Sequence, residues 1–426
     1  MKNYGYLERT IARQLDRFPT IRRTAKKVYQ RLNYWRYREK GFQCEVHSKV
    51  KLQSLDHCWG GEKASYFFGY YDKTPWGGGD DAKMLMHRVL GKEVEIVRVC
   101  PEQGKRLRLG MSSAWNHQQG SMTQWLNDEI VAYNDVQDRR LGVQIVGAGG
   151  ANKQFIPWPI QTVHPSGIEV LSLNYKRLHR QRPEYGYKPR VSNFSSEVPL
   201  GEDGLWRVNL ETGRAELVLS LSQLRRHRPR TEMENASHRV NHAMYSPKGA
   251  RVVFMHRWIG DEGKFSRLYV AAPNGDDLRL LMDDRMVSHY SWRDENHLVV
   301  WGRTEKQGNR YYLVDVRDGT LRVLGEEVFG QFGDGHPSYA PGGRWIVTDT
   351  YPDKGRKRHL LLFDTQTETV HRLGRFFAPW TFDGMNRCDL HPRWSPDGNY
   401  ISIDSTHEGS RKSYVIDIRK LLNEYE

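Results

Sequence analysis

Short runs in which apolar and polar residues alternate, each closed by a turn of Pro, Gly, Asn or Asp, fill most of this 426-residue chain. Alternation with period two predicts strands, and the turns predict antiparallel pairing. The clearest instance is Arg393-Trp394, then Ser395-Pro396-Asp397-Gly398, then Tyr400-Ile401-Ser402-Ile403. Pro presets φ at the second turn position, and Gly after Asp supplies the positive φ of a tight hairpin. Related phrases stand at Asn241-His242-Ala243-Met244-Tyr245-Ser246-Pro247, Ser288-His289-Tyr290-Ser291-Trp292 and Gly335-His336-Pro337-Ser338-Tyr339. From His242 to His289 is 47 positions, from His289 to His336 another 47, and from His336 to His391 55. A period of roughly 40 to 50 residues with four strands per unit predicts propeller blades. Weaker copies at Tyr70-Tyr71-Asp72-Lys73, Gln124-Trp125-Leu126-Asn127 and Thr162-Val163-His164-Pro165 bring the expected number to seven. The fold expected for residues 44–426 is an all-β, seven-bladed β-propeller. Val46, Val50, Leu52 and Leu55 predict an early strand that completes the last blade, covering the edge left by Tyr414-Val415-Ile416-Asp417-Ile418.

Residues 1–43 follow a different period. Leu7, Ile11, Leu15, Phe18, Ile21, Ala25, Val28, Leu32 and Trp35 recur at spacings of three and four, with Pro19-Thr20 as a break and new helix start. Arg9, Arg13, Arg17, Arg22, Arg23, Lys26, Lys27, Arg31, Arg36 and Arg38 surround that stripe. This predicts a basic amphipathic helical arm, which either attaches to an anionic bilayer or acidic partner or packs along the propeller with its basic face solvated.

Composition narrows the class. Mean hydropathy is -0.75, there is no apolar run long enough to cross a membrane, and no apolar segment follows Met1-Lys2-Asn3 as a secretory leader would require. The expected location is cytoplasmic, with the arm offering peripheral contact at the inner membrane face. Four scattered cysteines argue against a disulfide framework or a cysteine zinc site. The net charge of +14 calls for an anionic partner: an acidic polysaccharide, a nucleic acid or a membrane surface. No nucleic-acid-binding motif accompanies the charge, so that partner ranks last.

Two groups of residues suit chemistry. The insertion from Asn174 to Arg190 interleaves Tyr175 and other aromatics with Arg177, Arg190 and further cations, a mixture suited to stacking on sugars and binding carboxylates. Tyr175, Arg177, Arg190, His117 and His242 are the expected substrate-binding residues. The histidines of successive blades form the second group. Inner strands of a propeller line one channel, so repeated histidines there can meet and hold a metal, or each can simply bond a neighbouring blade.

The run from Gly335 to Ile418 resembles the last two blades of the oligogalacturonate lyases, and the likeness extends weakly back to about residue 157 through Asn241-His242-Ala243, Arg267-Leu268-Tyr269 and Ser288-His289-Tyr290. Those proteins are seven-bladed propellers, with blades of the WD40- and TolB-like kind, that cleave short pectic uronates by β-elimination. Arg-Cys-Asp-Leu-His-Pro-Arg-Trp, from Arg387, also resembles a phrase of propeller lyases acting on other acidic polysaccharides. The resemblance implies His289 as the proton-abstracting base and Arg267 as the substrate's carboxylate clamp. It implies a divalent metal, manganese ahead of calcium or zinc, at His336, Asn386, Asp389 and His391, with Asp389 standing where the family has His and Asn386 where it has Gln. The resulting expectation is a carbon-oxygen lyase acting on a uronate-containing glycan, with a non-catalytic propeller that binds a polysaccharide or a protein partner in surface-glycan biosynthesis as its rival.

Overall fold

The computed structural model describes residues 19–425 apart from 61–63, 79–82, 152, 188–194, 196, 327 and 328. Its strands form seven antiparallel sheets, one for each expected blade. Blade 1 spans 66–112, blade 2 124–156, blade 3 162–220, blade 4 237–282, blade 5 287–323, blade 6 338–377 and blade 7 393–417. The early strand Lys51–Ser54 pairs with Lys412–Asp417, Leu52 opposite Ile416, and completes blade 7 as the alternation predicted. Cys44–Val46 adds an unanticipated fifth strand to blade 6 by pairing with Thr369–Phe377. One short segment thus covers two sheet edges that would otherwise present unpaired backbone.

The middle strands do not bury one face only. All five residues of Trp345–Asp349 and all eight of Lys357–Asp364 are buried, because each blade is sandwiched between two others. Val347, Leu360, Leu362, Ile401, Ile403, Tyr414 and Ile416 form one apolar cluster across blades 6 and 7. Polar side chains at matching places on the second strands of blades 1, 2, 6 and 7 fasten each of these to the blade that follows it around the ring. Asn134 of blade 2 exchanges two hydrogen bonds with Ile160, ahead of blade 3. Asp349 of blade 6 accepts from the Leu390 and His391 amides just ahead of blade 7, and Asp404 of blade 7 accepts from the Phe68 and Gly69 amides of blade 1. His87 of blade 1 accepts from the Ser121 amide ahead of blade 2.

Helix α1, Pro19–Tyr37, begins at a proline, whose missing N–H costs nothing there. Residues 1–18 of the expected arm lie outside the described residues. Tyr34 docks α1 on blade 6, stacking on Phe377 at 6.1 Å and meeting Trp380 edge-on at 5.9 Å. The blade 3 insertion forms helix α2, Tyr175–Gln181, capped by the Asn174 side chain, which accepts from the Arg177 amide. No helix among the described residues is long and apolar enough to cross a membrane.

Candidate functional site

Radial repetition brings four histidines of four blades to one place. Tyr70 and Tyr71, just past the first strand of blade 1, stand between them. Ring centroids of His242, His289, His336 and His391 lie 5.2, 6.5, 6.0 and 4.9 Å from that of Tyr70. His289 and His336 are 4.3 Å apart, as are His336 and His391. His242 sits where the pairing of Ser237–Tyr245 with Val252–Gly260 shifts register, and both His242 and His391 have left-handed backbones, φ 55° and 45°. A bulge of this kind turns a side chain out of the sheet plane, and a non-glycine residue held there costs on the order of 1 kcal/mol or more.

A cavity of about 80 Å³ opens beside these rings, lined by His242 and His289, the amides Asn241 and Gln119, and the guanidinium-bearing Arg182 and Arg257 among others. Asp334 accepts from Nδ1 of His289 at 2.9 Å and from Ser288 Oγ at 2.7 Å. That bond places the ring proton on Nδ1 and leaves Nε2 with its lone pair. Burial lowers the pKa of His289, and Asp334 opposes the shift in part, so the ring is neutral at pH 7. His242 is brought down to about 4 by burial against the pull of Asp72, whose Oδ2 lies 3.4 Å from Nε2. Burial would raise Asp72, but Lys73 and His242 bring it to about 2. Tyr70 is raised well above the usual phenol value, by burial first and Tyr185 next, and stays protonated.

Behind Tyr70, one donor atom each of His336, Asp389 and His391 lies within 4.8 Å of the others. Nδ1 of His336 donates to Asp349 at 2.7 Å, and Nδ1 of His391 donates to the Gly69 carbonyl at 2.8 Å. Among the described residues, Nε2 of neither ring has a hydrogen-bond partner although both are buried. Two orphaned imidazole nitrogens beside one carboxylate, each ring fixed through its other nitrogen, fit a divalent cation. Asp389 itself is already ion-paired, with Arg358 at 2.7 Å and Arg387 at 2.6 Å. Burial would raise its pKa, but Arg387 and Arg358 hold it well below the carboxylate range.

The structure therefore brings together three of the four expected metal ligands. Asn386 stands apart: its Nδ2 donates to the Thr381 carbonyl and it lines a second, larger groove. The inward place next to it belongs to Arg387, which bonds Gln118 Oε1 and Asp389. Arg267 is a larger correction. Its guanidinium is fully buried and donates to the carbonyls of Leu224, His227 and Arg228, and it lies outside the cavity lining. It is a structural arginine of blade 4, and the cations in the cavity wall are Arg182 and Arg257.

The larger groove, about 450 Å³, has Trp115, His117, Lys92, Tyr175 and Lys176 in its walls. Residues 183–187 separate it from the cavity: Tyr185 faces the cavity, while Glu184 and Gly186 face the groove. His117 is pushed down to about 3 by burial, and its Nδ1 has no hydrogen-bond partner among the described residues. Tyr175 is mostly committed elsewhere, donating to the Ile160 carbonyl and stacking on Tyr187 at 4.6 Å. Arg177 is buried against Asp203 at 2.5 Å and anchors α2, away from both cavities. Arg190 lies outside the described residues. Asp334, Asp349, Arg257 and Tyr70 carry the site without having been singled out from sequence. One signal for Asp349 was available: Asp349-Thr350 and Asp404-Ser405 occupy the same place in their blades.

No protein-family model and no curated protein matches the chain. Solved structures do match. The oligogalacturonate lyase of Vibrio parahaemolyticus superimposes with a TM-score of 0.63 at 14% identity, covering 88% of this chain and 96% of that one. An oligogalacturonate lyase in complex with manganese gives 0.61 at 16% identity, covering 89% and 98%. The chain thus has the fold of those lyases over nearly its full length, at an identity that speaks for architecture alone.

Proposed function

We propose that this protein cleaves a uronate-containing glycan by β-elimination at the axial cavity. The observation that carries the proposal is the meeting, in one small cavity, of a carboxylate-oriented neutral imidazole with two guanidinium-bearing side chains. Arg182 and Arg257 bind the uronate carboxylate and neutralise the charge that builds on it. Nε2 of His289 takes the proton from the carbon α to that carboxylate, and Asp334 stabilises the imidazolium formed. The electron pair of the broken C–H bond becomes the new C=C double bond, the C–O bond at the β carbon breaks with its electron pair leaving on oxygen, and that oxygen takes a proton from water while the His289 imidazolium later returns its own to solvent. The groove along Trp115 and His117 offers an apolar face and polar atoms for a neighbouring sugar. His336, His391 and Asp389 are the residues that would hold a divalent metal, with manganese first by analogy to the lyase complex. Such an ion supplies Lewis-acid stabilisation of the substrate carboxylate.

One observation favours a rival, a non-catalytic propeller that binds an acidic glycan or a protein partner. Asp389 is charge-balanced by two arginines and needs no cation. A single experiment separates the two. The purified protein is incubated with a panel of uronic polysaccharides, with and without manganese, calcium or zinc. Elimination gives new ultraviolet absorbance from the unsaturated uronate, which His289→Ala abolishes. Absence of that signal across the panel, with retained glycan binding, leaves the binding module.

A further inference from the structure

Helix α1 has a face that the fold does not use. Val28, Leu32 and Trp35 are 53%, 65% and 72% exposed. At about 100° per residue these three fall within about 60° of one another, while Tyr34, which docks on blade 6, lies about 130° away, and Tyr37, 47% exposed, lies on the far side of the helix, apart from the stripe. The stripe therefore points away from blade 6. Elsewhere among the described residues the large exposed hydrophobics are single, Leu90, Ile168 and Met385, so this is the patch that calls for a partner.

Its charge says which partner. The sequence Pro19–Tyr37 contains six Lys or Arg and no Asp or Glu. Lys27, Arg31 and Arg36 are exposed beside the stripe, and Arg38 follows it. A second copy of the chain would bring like charges together. A dissolved polyanion would meet the cations and leave Trp35 in water. An anionic bilayer satisfies both, burying the apolar stripe at the acyl boundary while the cations meet lipid phosphates. We infer that α1 is a membrane-surface helix that seats the propeller on an anionic phospholipid leaflet through Val28, Leu32 and Trp35.

The test is flotation of the full-length protein with vesicles of phosphatidylcholine alone and of equal parts phosphatidylcholine and phosphatidylglycerol. The expected result is binding to the mixed vesicles, at least about tenfold weaker on the neutral ones. The triple variant Val28→Ser, Leu32→Ser, Trp35→Ser should lose at least about tenfold of that affinity. All three sites are exposed, so its circular dichroism and thermal midpoint should match the parent. No binding of the parent to mixed vesicles overturns the inference. So does unaltered binding of the triple variant, which would leave charge alone, and so does a parent dimer that the triple variant dissociates. None of these results depends on whether the axial cavity is catalytic.

Discussion

Asp349 is the side chain on which the axial site depends most, and its isosteric replacement by asparagine tests that directly. Its two oxygens receive four N–H groups. Oδ1 accepts from the amide and Nδ1 of His336, at 3.0 and 2.7 Å, and Oδ2 accepts from the amides of Leu390 and His391, at 2.9 and 3.1 Å. One carboxylate thus sets the ring of His336, the backbone carrying His391 and the junction between blades 6 and 7. In Asp349→Asn, one oxygen becomes an NH2 group facing two donors. Hydrogen bonds to a charged acceptor contribute roughly 1.5–3 kcal/mol each, and a stranded buried donor costs roughly 1–3 kcal/mol.

Losing two such bonds outright would cost about 3–6 kcal/mol. Some of this is recoverable. If the amide turns its NH2 toward His336, that ring can move its proton to Nε2 and accept through Nδ1, leaving one stranded amide. The expected loss is then at least about 2 kcal/mol, out of a total that for most domains is about 5–15 kcal/mol. The same proton shift would block Nε2 as a metal ligand. Urea unfolding followed by tryptophan fluorescence, with metal analysis of the purified variant, reads both consequences. A change below about 0.5 kcal/mol, the range of ordinary surface substitutions, would refute the reasoning.

Three other outcomes follow from the same geometry. Asp334→Asn leaves the position of His289 intact but weakens support for its protonated form, and on a substrate found by the elimination screen the rate should fall by roughly 10²-fold or more, with His289→Ala lower still; equal rates would remove Asp334 from the site. Arg267→Met removes the guanidinium that bonds the carbonyls of Leu224, His227 and Arg228 between blades 3 and 4, stranding the first and last, and should cost about 3 kcal/mol in urea unfolding, while Arg257→Met should instead weaken retention on an immobilised polyuronate with little loss of stability; the reverse pattern would restore Arg267 as the clamp. His87, His238 and His407 are each brought down to about 4 by burial, against about 6.5 in an unfolded chain. The unfolded chain therefore takes up protons first as pH falls. Stability is complete above about 6.5 and is lost toward 4, by about 1.4 kcal/mol per unit for each ring that is charging only when unfolded. Urea midpoints that do not fall between pH 7 and 5 would contradict this.

Much of the architecture was legible because its signals are local. Turn residues and alternation predict hairpins without reference to the rest of the chain, and the 47-residue spacing of His242, His289 and His336 survives in the structure as rings around Tyr70 and Tyr71. The choice between Arg257 and Arg267 was not local. His256 and Arg267 are direct cross-strand partners, as are Arg257 and Ser266, so the two arginines stand on opposite faces of blade 4. A face is fixed only by which neighbouring blade packs against it, and a one-residue difference reverses it. Asn386 and Arg387 divide on the same ground. Asp349 escaped notice because a buried aspartate shows its value only through donors from elsewhere, here Leu390 and His391, some forty positions on.

The polar groups on the axis separate into two kinds, and the difference bears on function. Asn134, Asp349 and Asp404 are engaged by the blades they join, as fold-supporting groups should be. His242, His336 and His391 are engaged only in part: among the described residues Nε2 of the last two and Nδ1 of the first lack hydrogen-bond partners, Nε2 of His242 has only the long approach of Asp72 at 3.4 Å, and two of the three also hold a strained left-handed backbone. A stranded buried donor or acceptor costs roughly 1–3 kcal/mol, and apolar residues would pack the same space without that cost. The fold can satisfy buried polar groups fully, as Asn134 of blade 2 demonstrates. Strain and unsatisfied nitrogen atoms gathered in one spot are what a bound ligand or ion would compensate, and this supports the proposal that the axis, ahead of the larger groove, is the site.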